Sequence, residues 1–230
     1  MLFRSMVYEN TTTWPSKEGD QLKISPPESA YGFQKLAVEY FARSLWDQYK
    51  IPYTILRPFN CVGIGEARAK GAQSISSGNV KLAMSHVLPD LIQKVLKGQN
   101  PLHILGDGSQ IRHYTYGGDL AEGIFRSLIN KNSLNNDFNL STAQSMTVLE
   151  LAKLVWGKVH GDDSEFKCIF DQPYPHDVQK RIPDVKKASQ LLGFEAKTQI
   201  SDVLDELIPD RKSTRLNSSH EWISRMPSSA

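Results

Sequence analysis

The 230-residue chain has only two cysteines, Cys61 and Cys168, and they stand in no metal-ligand spacing. Free thiols in a reducing, cytoplasmic compartment are therefore expected. The histidines His86, His103, His113, His160 and His176 form no His-x-x-x-His pair and no Cys/His cluster, so no metal site is expected. No apolar run approaches the length that crosses a bilayer, and MLFRSMVYEN lacks the apolar core of a signal peptide. Neither a membrane span nor a leader is expected. A formal net charge of +2 is too small to point to nucleic acid. No internal repeat is evident.

What is present is an ordinary globular composition, 40% hydrophobic and 23% charged, long enough to bury a substantial core. LFRSMVY reads as a strand and residues 9–30 as a polar loop. Phe33, Leu36, Ala37, Tyr40, Phe41 and Leu45 then recur at helical spacing, and the helix should end near Tyr49, before Pro52. YTILR reads as a strand, and the Gly/Ser-rich stretch after it as a long loop. Helices are expected at 86–97, 118–129, from Thr147, at 183–192 and at 201–207. LHILG, DFNLS and EFKCIF read as strands. Alternating helices and strands imply an α/β fold.

The two ends differ from the rest. LFRSMVY has no upstream element to pair with. After Pro209 no helical or strand periodicity is visible. DRKSTRLNSSH, residues 210–220, is similar to one reading frame of a common sequencing adapter. Residues 210–230 are accordingly expected to be an artefactual, unstructured tail. Residues 211–230 carry four basic residues against one acidic, and without them the net charge passes from +2 to −1.

Tyr31 and Lys35, in SAYGFQKLAVEYFARSLW, are four residues apart at the head of the first helix. Residues i and i+4 share a helix face, so a phenol and an ammonium can lie side by side. A nearby cation favours the phenolate of a tyrosine, which otherwise ionises near pH 10, and this suits it to proton transfer with a hydroxyl. Spacing alone favours an ordinary surface pair.

SAYGFQK, a helix, and then TILRPFNCVG together resemble the extended short-chain dehydrogenase/reductase family, the NAD-dependent sugar-nucleotide epimerases and dehydratases. The similarity continues through HVLPDLIQKVLKGQNPLHILGDGSQIRHYTYGGDLAEGI and DVQKRIPDVKKASQLLGF to about residue 209. SMVYEN resembles the family's strand ending in Val-Tyr-Gly. The resemblance implies that Tyr31 is the catalytic tyrosine and that Lys35 tunes it and holds the nicotinamide ribose. It places Pro58 near the nicotinamide and Asn60 near the substrate. Arg112, in Gln-x-Arg, would pair with the substrate diphosphate, and Arg181 is a further phosphate candidate. The implied fold is the C-terminal part of a Rossmann-type doubly wound domain plus a smaller α/β substrate domain. Residues 1–62 and part of 100–145 would form the remainder of the dinucleotide-binding domain, and 63–99 with 146–209 the substrate-binding subdomain. The implied cofactor is NAD, and the implied partners are a nucleotide-sugar and a second copy of the protein.

Three departures accompany the resemblance. GIGEAR and GDGSQI lack the third glycine of the phosphate-binding turn, so the first half of the dinucleotide-binding domain is expected to be missing and the chain alone to bind NAD poorly and be inactive. Arg4 occupies the place of the serine or threonine that bonds the reacting hydroxyl, and Ser5 should face the other way if the strand alternates. Tyr174 stands where an arginine is common. The implied activity is epimerisation or dehydration of a nucleotide-diphosphate sugar through a transient ketone. Ser5-Met6 in place of the dehydratases' Asp-Glu pair favours epimerisation. The alternative is a non-catalytic binding or regulatory relative that keeps the fold.

Overall fold

The computed structural model describes residues 5–64, 74–77, 80–83, 86–173 and 178–223. In chain order the elements are α1 (Ala30–Tyr49), β1 (Thr54–Pro58), β2 (Cys61–Val62), β3 (Ser74–Ser77), β4 (Val80–Ala83), α2 (Val87–Leu96) and β5 (Leu102–Leu105). There follow β6 (Ile111–Arg112), β7 (Thr115–Tyr116), α3 (Gly117–Ile129), β8 (Asn136–Leu140) and β9 (Met146–Thr147). The last are α4 (Val148–His160), β10 (Cys168–Asp171), α5 (Lys186–Leu192) and α6 (Ile200–Ile223). The chain divides into two compact units, residues 1–62, 109–147 and 175–200 in the first, and 63–108, 148–174 and 201–230 in the second.

The first unit is built on the parallel pair β1–β8, in register from Thr54 opposite Asn136 to Pro58 opposite Leu140. β2 and β7 form a second, shorter parallel pair. Side chains from α3 and α5 close one core: Leu56, Phe138 and Leu140 of the strands meet Leu120, Ala188 and Leu192, joined by Phe194. A second cluster unites Val7, Tyr8, Leu36 of α1 and Phe59. Both clusters are apolar layers against strands, the arrangement that parallel sheets require.

α1 is fixed at its start by a polar relay. The Ser29 Oγ accepts from the Gly32 N–H at 3.0 Å, an N-cap of the ordinary kind. Ser29 also donates its own N–H, at 2.9 Å, and its hydroxyl to the Glu9 carboxylate. Glu9 thus places negative charge at the positive end of the helix. At the other end Lys50 adopts φ 57° and closes the helix ahead of Pro52. The helix turns Leu36, Glu39 and Ala42 inward and leaves Phe33, Tyr40 and Phe41 exposed.

Glu39 is fully buried, as is Arg57 in β1. Arg57 donates Nε to Glu39 Oε1 at 2.6 Å and Nη2 to Oε2 at 2.7 Å, a two-pronged ion pair. The same Nη2 donates to Asp137 of β8 at 2.8 Å, and Lys187 and Arg43 also reach Asp137, at 2.9 and 3.2 Å. Burial raises the Asp137 carboxyl, but Arg57 and Lys187 outweigh it and hold the group at about 2, below the ordinary 3.8.

The second unit pairs β5 with β10 in parallel and β3 with β4 as an antiparallel hairpin. Leu88, Leu91, Ile92 and Val95 of α2 are buried, as are Leu151, Ala152 and Val155 of α4. In this unit, α6 buries Val203, Leu204, Leu207 and Ile208.

Two expectations need correction. Ser5–Tyr8 is not a strand but a 3-10 turn, with Glu9 N–H bonded to Met6 O and Thr11 N–H to Tyr8 O. β-propensity is realised only against a partner edge, and among the described residues β1 pairs with β8 alone. Ser5 therefore has no strand face to occupy, and it is buried. Secondly, α6 does not end at Leu207. It runs through Pro209 to Ile223, so residues 210–223 are helical rather than structureless. The packed turns before Pro209 set the helix, and the Arg and Lys after it are good helix formers, which outweighs the one hydrogen bond proline removes.

Three outcomes follow from this packing. Glu39→Ala should cost about 3–5 kcal/mol in urea unfolding, because it strands a buried guanidinium. The double variant Glu39→Met with Arg57→Met should recover part of that loss. A Cβ at Gly32 would lie 2.7 Å from Pro27 Cβ and 2.8 Å from Glu9 Oε2. Gly32→Ala should therefore lower stability by about 1–3 kcal/mol, read from the thermal midpoint. Asp137 has a folded pKa below its unfolded value, so its stabilisation is present above 3.8 and lost as the pH falls towards about 2. Asp137→Asn should flatten the unfolding free energy across that window.

Candidate active site

All six residues singled out in the sequence lie in the first unit. Tyr31 and Lys35 are one turn apart on α1, and Lys35 Nζ lies 5.5 Å from the Tyr31 ring centroid. Tyr31 is 42% exposed and Lys35 half-buried. The structure therefore brings this pair together and leaves the phenol accessible to a ligand. A cation beside a phenol that must gain and lose a proton is a workable acid–base arrangement.

Pro58 closes β1 opposite Leu140, at the carboxyl end of the parallel pair, where open α/β sheets bind their ligands. Phe59 packs with Leu36 of α1, so the end of β1 and the Tyr31 helix share one neighbourhood. Asn60 takes a left-handed φ of 34°, a conformation asparagine tolerates better than most residues. Its carbonyl accepts from Thr115 N–H at 3.1 Å, and its Nδ2 donates to the His113 carbonyl at 3.2 Å. Asn60 is thus the hinge that carries the chain from β1 to β2, beside β7.

His113 is buried, with Nδ1 2.9 Å from the Thr142 carbonyl. A carbonyl only accepts, so Nδ1 carries the proton. Burial pushes this imidazole below its ordinary 6.5, against the opposing effect of that hydrogen bond.

Arg112 and Arg181 are neighbours. Ile111 and Lys180 form a parallel bridge, Ile111 N–H donates to Gln179 O at 2.8 Å, and Arg181 N–H donates to Ile111 O at 3.1 Å. The Arg112 guanidinium is buried and donates Nη1 to the carbonyls of Ile111 and Gln179, at 2.9 and 3.2 Å. The Arg112 guanidinium on β6 is thus held in place beside Arg181, and a guanidinium fork suits an anion with several oxygens.

A cleft of about 350 Å³ is lined by Glu9, Asn10, Thr11, Trp14 and Glu28 on one side and Val178, Gln179 and Lys180 on the other. Its first wall flanks Ser29, the cap of the Tyr31 helix. Its second wall runs into Arg181 and supplies the Gln179 carbonyl to Arg112. Arg4 and Tyr174, the places of the two unusual residues, lie outside the described residues, as does much of the loop after Asn60.

Sequence reasoning missed Glu39, Arg57 and Asp137, and the Tyr8 phenol that donates to Asn139 Oδ1 at 2.9 Å and accepts from Arg57 Nη1 at 3.2 Å. Burial pushes that phenol well above its ordinary value, despite Arg57. One signal was there: Glu39 interrupts the inward positions Leu36 and Ala42, and Arg57 follows an apolar strand run. The cleft residues Glu9, Trp14, Glu28 and Lys180 carry no spacing that would single them out.

Residues 4–141 match the model of the NAD dependent epimerase/dehydratase family. UDP-glucuronic acid decarboxylase 4 of Arabidopsis thaliana is 33% identical over 124 residues, 54% of this chain and 27% of that protein. The UDP-glucose 4-epimerase of Thermotoga maritima, solved with UDP-glucose, superposes with a TM-score of 0.74 at 26% identity, covering 93% of this chain and 62% of that one. The UDP-glucuronic acid 4-epimerase of Bacillus cereus, solved with UDP-glucuronic acid and NAD, gives 0.74 at 25% identity, with 93% and 60% covered. The chain spans about half or less of the length of the curated relatives it matches. The family match takes in more than half of the chain, and with it Tyr31, Lys35, Pro58, Asn60 and Arg112. On that match, and on the α/β fold it shares with these epimerases, the chain belongs to the NAD dependent epimerase/dehydratase family.

Proposed function

We propose that this chain supplies the acid–base pair and the diphosphate-binding arginines of an NAD-dependent sugar-nucleotide epimerase. The observation that carries this reading is Lys35 Nζ beside the exposed Tyr31 ring at the head of α1. Tyr31 takes the proton of a sugar hydroxyl as the carbon beneath it is oxidised to a ketone, and returns it when the ketone is reduced on its other face. Lys35 faces the ring on which negative charge develops. Arg112 and Arg181 hold the diphosphate, which fixes the sugar while it turns. Ser5 and Met6, where dehydratases carry Asp-Glu, support epimerisation over dehydration.

The residues fit the nicotinamide-ribose end of NAD: the exposed Tyr31 and half-buried Lys35 side chains on α1, with Pro58 at the carboxyl end of β1 in the same neighbourhood. Lys35 would hold the ribose. NAD, when bound, accepts and returns the hydride. The described residues contain no helix long and apolar enough to cross a membrane, and a chain with only two cysteines suits a cytoplasmic setting. The exposed face of α1, with Phe33 at 54% and Phe41 at 68% exposure, supports pairing with a second copy through this helix.

Tyr31→Phe removes the proton carrier and keeps the ring beside Lys35. In the longest protein that carries this sequence, it should lower turnover of a nucleotide-sugar by at least about 100-fold and leave nucleotide-sugar affinity within a factor of a few. Product formation followed by NMR and binding followed by calorimetry separate the two. Retained turnover would overturn the role of Tyr31.

A further inference from the structure

We propose that His113 is a positioning residue: through a closed circuit of hydrogen bonds it holds the left-handed Asn60 against the segment that follows Arg112. The proposal rests on the reading that Arg112 holds the diphosphate and that Asn60 lies near the substrate.

The circuit joins three segments of the first unit. Asn60 Nδ2, between β1 and β2, donates to the His113 carbonyl at 3.2 Å. His113 Nδ1, between β6 and β7, donates to the Thr142 carbonyl, beyond the end of β8, at 2.9 Å. Thr142 N–H donates to Thr115 Oγ1 at 3.1 Å. Thr115 N–H, at the start of β7, donates back to the Asn60 carbonyl at 3.1 Å. Each member donates to the next in the same sense, so the bonds polarise one another. His113, Thr115 and Thr142 are buried, and Asn60 is half-buried. Asn60 is therefore the corner of the circuit open to a ligand. A non-glycine residue at φ 34° stays there only where its surroundings over-determine it. The circuit does so by gripping Asn60 at both its side chain and its carbonyl. The residue before His113 is Arg112, whose guanidinium is held by two carbonyls.

The hold of His113 depends on which nitrogen carries the proton. With the proton on Nε2 alone, Nδ1 would face the Thr142 carbonyl as a second acceptor, and the circuit would open. Nε2 bonds to none of the described residues, so the imidazole enters the circuit through Nδ1. Burial, which pushes this imidazole below 6.5, keeps it neutral.

Long-range proton–nitrogen NMR of the 230-residue chain at neutral pH should show His113 neutral, with its proton on Nδ1. Any other state overturns the inference. Calorimetric titration with UDP-glucose and dTDP-glucose reads the consequence, and the chain should bind at least one of them. His113→Gln carries its amide nitrogen near the place of Nε2 and should weaken that binding at least about ten-fold, whereas His113→Asn carries it near the place of Nδ1 and should come within about three-fold of the unaltered chain. Thr115→Val opens the circuit at another link, and Thr115→Ser keeps it closed. This pair carries the same comparison if His113→Gln does not fold. Asn60→Gly keeps the turn and lacks the side chain, and in that background His113→Gln should change affinity less than about two-fold. No loss in His113→Gln, equal losses in His113→Gln and His113→Asn, or a loss undiminished in Asn60→Gly overturns the inference alone. Failure of both nucleotide-sugars to bind the unaltered chain overturns the diphosphate reading, and the inference with it.

Discussion

The two-pronged pair between Arg57 and Glu39 sets the geometry on which the site depends. Both side chains are fully buried, and each comes from an element that carries site residues. Glu39 is eight residues from Tyr31 and four from Lys35 on α1, and Arg57 directly precedes Pro58 on β1. The pair therefore fixes both how far α1 is rotated and how far it has slid along the strand. An apolar contact at the same place could match it in stability, since desolvation consumes most of what a buried ion pair gains. It would not match it in direction, because a guanidinium fork accepts a carboxylate in few orientations. Asp137 extends the constraint to β8 and joins three elements through one guanidinium.

The second fixed point is the relay at the start of α1. Glu9, Ser29 and the Gly32 N–H hold the turn that contains Tyr31. Gly32 is glycine because the side chains of Pro27, Glu9 and Ser29 leave no room for another. The catalytic candidate thus sits between two anchors, the cap two residues before it and the buried pair two turns after it. A general acid–base must be held within a few tenths of an ångström of its proton, and a frayed helix end could not do this. Here the first turn of the helix is tied to the 5–11 segment instead of being left to fray.

The sequence discloses the parts of this arrangement that depend on local pattern. The helical spacing from Phe33 to Leu45, the stop before Pro52 and the strand at TILR are all legible, because each follows from the periods 3.6 and 2 and from proline. Tyr31, Lys35 and Arg112 were singled out by family resemblance. Glu39 and Arg57 were not, because a charge on an apolar face has meaning only once its partner, eighteen residues away, is known to meet it. Ser5–Tyr8 was misread for a related reason: its β-forming residues encode a strand only when an edge is there to receive it. The course of α6 past Pro209 was missed because propensity marks proline as a stop, and the packing of Val203 to Ile208 overrides it.

Around the cleft, charge is sorted rather than mixed. Cationic side chains gather where the chain crosses between β6 and residues 179–181, whereas carboxylates gather at the head of α1. Buried Arg112 is already oriented by two carbonyls, so the diphosphate proposed for it would not need to order it. Glu9 is equally oriented by Ser29. The same carboxylate that braces the helix cap also lines the adjoining cleft, so Glu9 cannot be exchanged for a neutral residue without weakening the cap that holds Tyr31.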